Sequence, residues 1–255
     1  MKYGMKNPFC SFPPGSKEDY FPHIDGNEDK SVSRAVFKEH RFSFFWWNRW
    51  TQEKRKRTAD YIADVVTIDF HNDLHFPNDD DCDELKDLDL SKDFDISFHS
   101  WARLNGNSDD HVLSAAYLNI IGNVYALTKQ DFDKREFTFK DKYEKEHKIF
   151  VFEDYEELGE KLGEINTDHF ILDIDLDYFV SEEGQHGSPE GWKLVDDETI
   201  INCVSKGNGI IGIIGEKLDA ISIATESDYT GGLKNSFKIF QVIEETLFDE
   251  NGNWK

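Results

Sequence analysis

Short apolar runs of strand type alternate along this chain with amphipathic segments of helix type. Five runs rich in β-branched or aromatic residues are typical of buried strands, and they cover residues 65–68, 124–127, 149–152, 170–172 and 220–223. Four segments with apolar residues near helical spacing cover residues 109–121, 154–165, 196–205 and 233–248. Strands that alternate with helices predict a mostly parallel sheet covered on both faces, a three-layer α/β/α sandwich.

The length of the chain favours one large domain preceded by an arm. A chain of 255 residues can bury about three quarters of its unfolded surface around one core. Four of the six prolines lie in the first 30 residues, and proline does not sustain a helix or a central strand. We therefore expect residues 1–30 to form an arm packed on a single α/β domain of residues 31–255.

The chain is strongly acidic, with 52 Asp and Glu against 29 Lys and Arg and a formal charge of -23. Such a charge repels nucleic-acid phosphates and anionic lipids. No stretch approaches 18 consecutive apolar residues, as a membrane span would require. The three cysteines are far apart, which is untypical of a disulfide framework or a thiolate zinc site. We expect a cytoplasmic protein that binds a small-molecule substrate and has no nucleic-acid or membrane partner; homo-oligomerisation stays open.

A pattern of acids and histidine follows one of the predicted strands. Asp69, His71 and Asp73 come directly after the apolar residues 65–68, each separated from the next by one residue. Side chains two positions apart on a strand share a face. The three are therefore expected to converge at the carboxyl end of the strand, where open α/β sheets bind ligands. A hydrated loop is the alternative for any single one of them.

A second predicted strand carries three alternating acids, Asp173, Asp175 and Asp177. Like charges left unpaired in a buried strand cost several kcal/mol per ion, so a bound cation or protonation must neutralise them. Oxygen and imidazole ligands suit Mn²⁺ or Mg²⁺, with Zn²⁺, Fe²⁺ and Co²⁺ also compatible, and carboxylates can bridge two ions. The two motifs together predict a divalent-metal site, with Mn²⁺ or Mg²⁺ as the expected metal; two Mn²⁺ ions are the first expectation once the resemblance described next is taken into account.

The two motifs resemble signatures of the arginase, agmatinase and deacetylase superfamily. The segment from Asp69 to Asp73 is similar to its Asp-x-His-x-Asp signature, and Asp173-Ile174-Asp175 is similar to its later Asp-x-Asp. The resemblance is closer to an uncharacterised arginase-related branch than to true arginases. Because Asp177 continues the alternation, the second pair of ligands is either Asp173 with Asp175 or Asp175 with Asp177.

Further site residues are implied by this resemblance. His40 corresponds to an upstream histidine of the superfamily, although the glycines that normally precede it are absent, and Glu226 corresponds to a glutamate that holds the substrate guanidinium. The resemblance implies one ion held by His40 and Asp73, another held by His71 and Asp175, and two bridging carboxylates, Asp69 and Asp173. A deacetylase-like variant would instead hold one zinc on Asp69, His71 and Asp173.

The function implied by the resemblance is metal-dependent hydrolysis of a C–N bond, guanidino or amide, by a metal-activated water. A nearby acid must protonate the departing nitrogen, and His99 or His111 is a candidate for this role as well as a candidate surface or capping histidine. A binuclear phosphoesterase is the rival enzyme, although its Gly-Asp and Gly-Asn-His segments are not found. A metal-binding protein without turnover is the non-enzymatic alternative.

Three other patterns receive structural interpretations. The Gly-x-Gly-x-x-Gly match at residues 207–212 follows a predicted helix, whereas a dinucleotide fingerprint follows a strand. The aromatic residues between 42 and 50 are expected to cover the sheet, and the basic run 54–57 to be the solvated face of a helix. The acidic run 79–84 is expected to be a solvated loop.

Overall fold

The computed structural model describes residues 12–181 and 192–255, and these residues form an eight-stranded sheet. Its strands are β1 (Lys17–Pro22), β2 (Ser31–Phe37), β3 (Asp64–Asp69), β4 (Val124–Thr128), β5 (Glu136–Lys140), β6 (Glu146–Phe152), β7 (Phe170–Asp175) and β8 (Leu218–Ala224). The order across the sheet is β1-β2-β8-β7-β3-β4-β6-β5. The six central strands pair in parallel, while β1 and β5 are antiparallel edge strands.

Helices cover both faces of the sheet. They are α1 (Ser43–Arg55), α2 (Asp79–Lys86), α3 (Asp93–Ala102), α4 (His111–Tyr117), α5 (Tyr155–Gly163), α6 (Asp197–Val204), α7 (Ile210–Ile214) and α8 (Leu233–Leu247). Buried side chains of α1 to α4 share one apolar core with the sheet, and those of α5 to α8 share the other. The predicted α/β fold with a mostly parallel sheet is confirmed. No helix within the described residues is long and apolar enough to cross a membrane.

All five predicted strand segments lie in central strands, namely β3, β4, β6, β7 and β8. The four predicted helical segments overlap α4, α5, α6 and α8. The strands that were not predicted include both edge strands of the sheet, β1 and β5. Residues 17–22, within the expected arm, form β1 and pair with β2; the first 11 residues of that arm lie outside the described part of the chain.

Aromatic rings of α1 lie against the sheet, as expected. Phe44, Phe45, Trp46 and Trp47 are completely buried. The Trp47 indole N–H donates a 3.0 Å hydrogen bond to Oγ of Ser222 on β8. The rings therefore fix α1 over the sheet, close to the point where its strands end.

The acidic run at 79–84 forms the start of helix α2, so the prediction of a loop was wrong. The Asn78 side chain accepts hydrogen bonds from the N–H groups of Asp80 and Asp81, and the Asp81 side chain accepts one from the Asn78 N–H. This capping box satisfies the free donors of the first turn, and acids there interact favourably with the helix dipole. Local capping thus stabilises a helix in a segment whose composition suggests a loop.

Candidate metal centre

The candidate site lies at the carboxyl edge of the sheet, where the direction of strand addition reverses. From β3 the chain continues on one side through β4 and β6, and it returns on the other side through β7 and β8. Asp69 is the last residue of β3, and Asp175 is the last residue of β7. Crevices at such switch points are where open α/β sheets bind ligands.

Two neighbouring strand ends bring further side chains to this edge. The segment after β2 pairs with the segment after β8, since the Glu226 N–H donates to the Lys38 carbonyl at 3.0 Å. The Glu226 carboxylate in turn accepts a 2.7 Å hydrogen bond from the backbone N–H of His40. This pairing places His40, from a distant part of the sequence, beside the ends of β3 and β7.

The buried imidazole of His40 lies between four carboxylates. Its Nδ1 is 3.0 Å from Asp73 Oδ2, 3.1 Å from Asp69 Oδ2 and 3.4 Å from Asp175 Oδ2, and its Nε2 is 2.6 Å from Asp173 Oδ2. Burial works against the charged imidazolium, but the adjacent carboxylates outweigh it and raise the pKa of His40 well above its usual value. In this metal-free arrangement a proton on His40 partly balances the acids.

His71 forms a second group with Asp69 and Asp177. Its Nδ1 is 3.1 Å from Asp177 Oδ2 and 3.7 Å from Asp69 Oδ1. Burial disfavours the imidazolium, yet hydrogen bonding to Asp177 and Asp69 raises the pKa of His71 to about 11. Asp177 lies in the 3-10 turn Leu176–Phe179 directly after β7, and its Oδ1 accepts the Phe70 N–H at 3.2 Å.

His111 joins the cluster as a neutral imidazole. Its Nδ1 lies 2.7 Å from the Ser108 carbonyl oxygen and therefore donates, which leaves the lone pair on Nε2. That Nε2 is buried and has no hydrogen-bond partner. The ring centroid lies 4.4 Å from that of His40. Burial, reinforced by the neighbouring His40, lowers the pKa of His111 to about 3.

Asp173 has a different environment, and its expected role as a bridging ligand is not supported by the geometry. Its Oδ1 accepts hydrogen bonds from the hydroxyls of Ser43, at 2.9 Å, and Ser222, while its Oδ2 accepts from Thr67, at 3.0 Å, and contacts His40. Burial alone would raise the pKa of Asp173, but His40 and these hydroxyls hold it below its usual value. Because four protein groups occupy both oxygens, we interpret Asp173 as the group that positions His40.

Among the described residues, three overlapping groups of side chains could hold a metal ion, with the ligand atoms of each group within 4.8 Å of one another. They are His40 with Asp73 and His111, His40 with Asp69 and Asp175, and Asp69 with His71 and Asp177. Asp69 Oδ2 is buried, lies 3.1 Å from His40 Nδ1 and has no further hydrogen-bond partner among the described residues. This carboxylate oxygen, together with the orphaned His111 nitrogen, fits a divalent cation, because oxygen and imidazole donors are the ligands that such ions take.

The six predicted ligands are thus brought together, and Asp173 alone, which contacts His40, is not a member of the three ligand groups. His40, Asp69, His71, Asp73 and Asp175 lie in one cluster. Asp177, which was only an alternative in the sequence, is in contact with His71. In the sequence, the Asp-x-Asp-x-Asp alternation is the feature that identifies Asp177 as a candidate site residue.

A cleft of about 390 Å³ opens onto the cluster. Its walls include His40, His71, Asn72, Asp73, Leu74, His75, Asn107, Ser108, Asp109, Gln130, Phe132, Asp175, Asp177, Glu226 and Tyr229. None of these described residues is Lys or Arg. The Tyr229 ring stands edge-on to His71 with centroids 5.6 Å apart. Sequence patterns gave no signal for wall residues such as Gln130 and Tyr229, because they come from loops.

The three expected catalytic residues occupy different environments. Glu226 lies in the wall of the cleft, and burial raises its pKa to about 7 even though hydrogen bonding to His40 opposes the rise. His111 lies in the cluster itself. His99 lies on α3 against Phe44, with ring centroids 5.7 Å apart, and does not line the cleft. A role for His99 in proton transfer is therefore not supported by its position.

Three residues of the cleft wall have left-handed backbone conformations. Asp73, Ser108 and Glu226 have φ values of 44°, 61° and 32°. This region is unfavourable for residues other than glycine, and strain of this kind concentrates at functional sites. The surrounding structure holds all three side chains in place at the cluster at a local energetic cost.

Comparison of the chain with protein-family models gave no match, and comparison with curated proteins gave none either. The superfamily resemblance of the two motifs therefore stays a prediction. The functional interpretation depends on the geometry of the cleft.

Proposed function

We propose that this protein is a divalent-metal-dependent hydrolase that cleaves a C–N bond, guanidino or amide, in a small molecule, within an arginase-like version of the α/β sandwich. The observation that carries the proposal is the overlap of three ligand groups at the carboxyl edge of the sheet. Of their buried atoms, His111 Nε2 has no hydrogen-bond partner, and Asp69 Oδ2 has none beyond its ion pair with His40. A cluster of this kind costs free energy unless something neutralises it.

The proposed ligands follow from the three groups. Asp69 belongs to two of them and would bridge two ions. His40 and Asp175 would complete one ion, with Asp73 and His111 as neighbours, and His71 and Asp177 would complete the other. Oxygen-rich sets with some imidazole favour Mn²⁺ among the candidate metals. When bound, divalent ions at this place lower the pKa of a water molecule and polarise the substrate.

The chemistry requires the water oxygen to bond to a trigonal carbon, the C–N bond to break and the departing nitrogen to take a proton. Glu226 is the candidate for proton transfer, because it lies in the cleft wall and its pKa is about 7. His111 is unsuited to donate a proton, since its Nδ1–H is held by Ser108 and its pKa is about 3. We assign its Nε2 as a hydrogen-bond acceptor or as a metal ligand.

The charge of the cleft favours a cationic or neutral substrate over a phosphoester. Six carboxylates of the described residues surround the cluster, namely Asp69, Asp73, Asp173, Asp175, Asp177 and Glu226. Two divalent ions would supply four positive charges against six formal negative ones. No Lys or Arg lines the described cleft to receive phosphate oxygens, whereas a guanidinium or ammonium group would be attracted.

The test is a turnover screen of Mn²⁺-loaded protein against guanidino compounds, N-acylated amines and phosphoesters, with metal content per chain measured in parallel. We expect C–N cleavage and two Mn²⁺ ions, while one tightly held zinc would favour the deacetylase-like variant. Asp69→Asn should abolish turnover and lower the metal content. The matched control is Asp64→Asn, a buried aspartate at the other end of β3, which should retain both.

Retained turnover in Asp69→Asn would contradict the proposed site. A preference for phosphoesters would contradict the proposed reaction. Metal binding without turnover of any of the three classes would identify a metal-binding protein.

A further inference from the structure

A groove of about 470 Å³, with six apolar and three charged residues in its described walls, lies beside the acidic cleft. Its walls are Leu74, Phe76, Leu113, Asp131, Phe132, Asp133, Lys134, Phe137 and Phe139. Leu74 and Phe132 line both the cleft and the groove. The two spaces therefore adjoin at these two side chains, and we call the second one the Phe groove.

The rings of the Phe groove come from three separate segments. In the edge strand β5 exposed and half-buried residues alternate, which places Phe137 and Phe139 together on the face of the sheet that α1 to α4 cover. Phe132 packs near Phe137 with centroids 5.8 Å apart, and Phe76 stands edge-on to Phe139 at 5.4 Å. The aromatic wall is thus built by tertiary structure and not by one helix face.

The chain itself leads from the cluster into the groove. Asp73 belongs to the ligand groups, Leu74 forms the shared wall, and Phe76 lies in the groove with 43% of its surface exposed. A substrate group that leaves the acid and histidine cluster on this side meets Leu74 and Phe132 first. The next surface it meets is aromatic and exposed to water, where burial of an apolar group is favourable.

We propose that the Phe groove holds an apolar acyl chain of the substrate, so that the enzyme selects long-chain or aromatic N-acyl amines over N-acetyl amines. The inference rests on the proposed function for the position of the C–N bond, which lies at the cluster. The cationic amine part stays in the acidic cleft, and the acyl chain extends past Leu74 and Phe132 onto Phe76, Phe137 and Phe139. Because the Phe groove shares the wall residues Leu74 and Phe132 with the cleft, its occupant is one substrate that spans both spaces rather than a second protein.

The experiment measures binding and not turnover. Acetohydroxamic, hexanohydroxamic and octanohydroxamic acids are titrated into Mn²⁺-loaded protein by calorimetry, since a hydroxamate is a chelating head group. We expect the affinity to rise with chain length, by at most about fourfold per methylene, the value for complete burial of a CH₂ group. A parallel series of n-butyl-, n-hexyl- and n-octylammonium ions is titrated into metal-free protein, where it tests the groove even if no metal binds.

Phe76→Ala should lower the gain from the two-carbon to the eight-carbon hydroxamate by about tenfold, as expected for the loss of an aromatic contact of about 1.4 kcal/mol. Because Phe76 is well exposed, the variant should fold. The matched control is Phe98→Ala on α3, a phenylalanine that is 45% exposed and lines neither space. It should leave the chain-length dependence unchanged.

Equal affinity for short and long chains in both series would overturn the Phe groove proposal, and so would equal losses in Phe76→Ala and Phe98→Ala. If light scattering finds a dimer that Phe76→Ala dissociates and chain length has no effect, the groove is an interface between copies and the proposal is wrong. Failure of every hydroxamate and of Mn²⁺ to bind, with the alkylammonium series still dependent on chain length, would contradict the proposed function but support the groove.

Discussion

Asp173 and Asp175 offer a direct test of the site, because they lie two residues apart on β7 and are both buried, but have opposite surroundings. Both oxygens of Asp173 are engaged by protein groups. Asp175 accepts one hydrogen bond, from the Asp177 N–H at 3.0 Å. Its Oδ2 faces the cluster. We predict that Asp173→Asn and Asp175→Asn change stability and metal binding in opposite ways.

The cost of Asp173→Asn follows from its hydrogen bonds. An asparagine keeps one acceptor oxygen and adds an NH₂ group that faces hydroxyls and His40. Each hydrogen bond to a charged group contributes about 1.5–3 kcal/mol, so we expect a loss of about 2–4 kcal/mol from the free energy of unfolding with or without metal. For a domain of this size the corresponding fall in Tm is about 5–15 °C.

Asp175→Asn should leave the metal-free protein as stable as before or more stable. Burial and the nearby Asp177 raise the pKa of Asp175 well above its usual value despite His40, so the charged form is disfavoured. Its ligand oxygen lies within 4.8 Å of that of Asp69, and Coulomb's law at an effective dielectric constant of 20 gives about 3.5 kcal/mol of repulsion between the ionised pair. Because the two ligand oxygens are 4.8 Å apart or less, this value is the lower limit of the repulsion, and the net gain is smaller than the repulsion because the attraction to His40 is lost as well.

Mn²⁺ binding should change the two variants differently, because it stabilises one of them against unfolding and not the other. At a free Mn²⁺ concentration one hundred times Kd, binding at one site stabilises the folded state by about 2.7 kcal/mol. Wild type and Asp173→Asn should show this rise, whereas Asp175→Asn should lose most of it.

Urea denaturation in EDTA and in Mn²⁺ measures all three proteins under both conditions. The reasoning is refuted if Asp175→Asn destabilises the metal-free protein as much as Asp173→Asn does. It is equally refuted if Asp173→Asn alone removes the stabilisation by Mn²⁺.

Three further predictions concern other residues. Burial lowers the pKa of His99 from 6.5 to about 4, so its neutral form stabilises the fold above pH 6.5 and this contribution, about 3 kcal/mol, is lost as the pH falls towards 4. Urea denaturation across this pH range should show that the free energy of unfolding depends less on pH in His99→Gln than in wild type. An equal pH dependence in both proteins would contradict this role of His99. Glu226→Gln keeps an acceptor for the His40 N–H but loses the titrating group, so kcat should fall about 100-fold or more with a Tm near that of wild type; full activity would remove Glu226 from proton transfer. Gly122→Ala should lower the free energy of unfolding by about 1–3 kcal/mol, because a Cβ there would collide with the Asp64 carboxylate; thermal denaturation at wild-type Tm would show that the close approach is absent.

The central strands and the functional edge of the sheet could be predicted from the sequence. The buried strands β3 and β7 contain the mainly apolar runs 65–68 and 170–172, so the pattern identifies them without knowledge of their partners. The first run leads directly into Asp69 and the second into Asp173. Because parallel strands end at a common edge, two motifs about a hundred residues apart could be expected to meet.

The edge strands and helix α2 were not predictable in the same way. β1 and β5 are half exposed, so their composition differs little from that of a loop, and pairing with β2 and β6 decides their conformation. Helix α2 depends on a cap by Asn78, a local contact that outweighs the acidic composition of the segment.

The division of roles among the three aspartates was decided only by the tertiary structure. Alternation places Asp173, Asp175 and Asp177 on one side of the strand, and nothing in the local sequence distinguishes them. The hydroxyls that satisfy Asp173 come from α1, β3 and β8. Asp175 is the last residue of β7 and Asp177 lies in the turn after it, where their described partners are backbone N–H groups and imidazoles. A carboxylate becomes available to a cation when the surrounding chain leaves its oxygens without donors, and that depends on which distant segments pack against it.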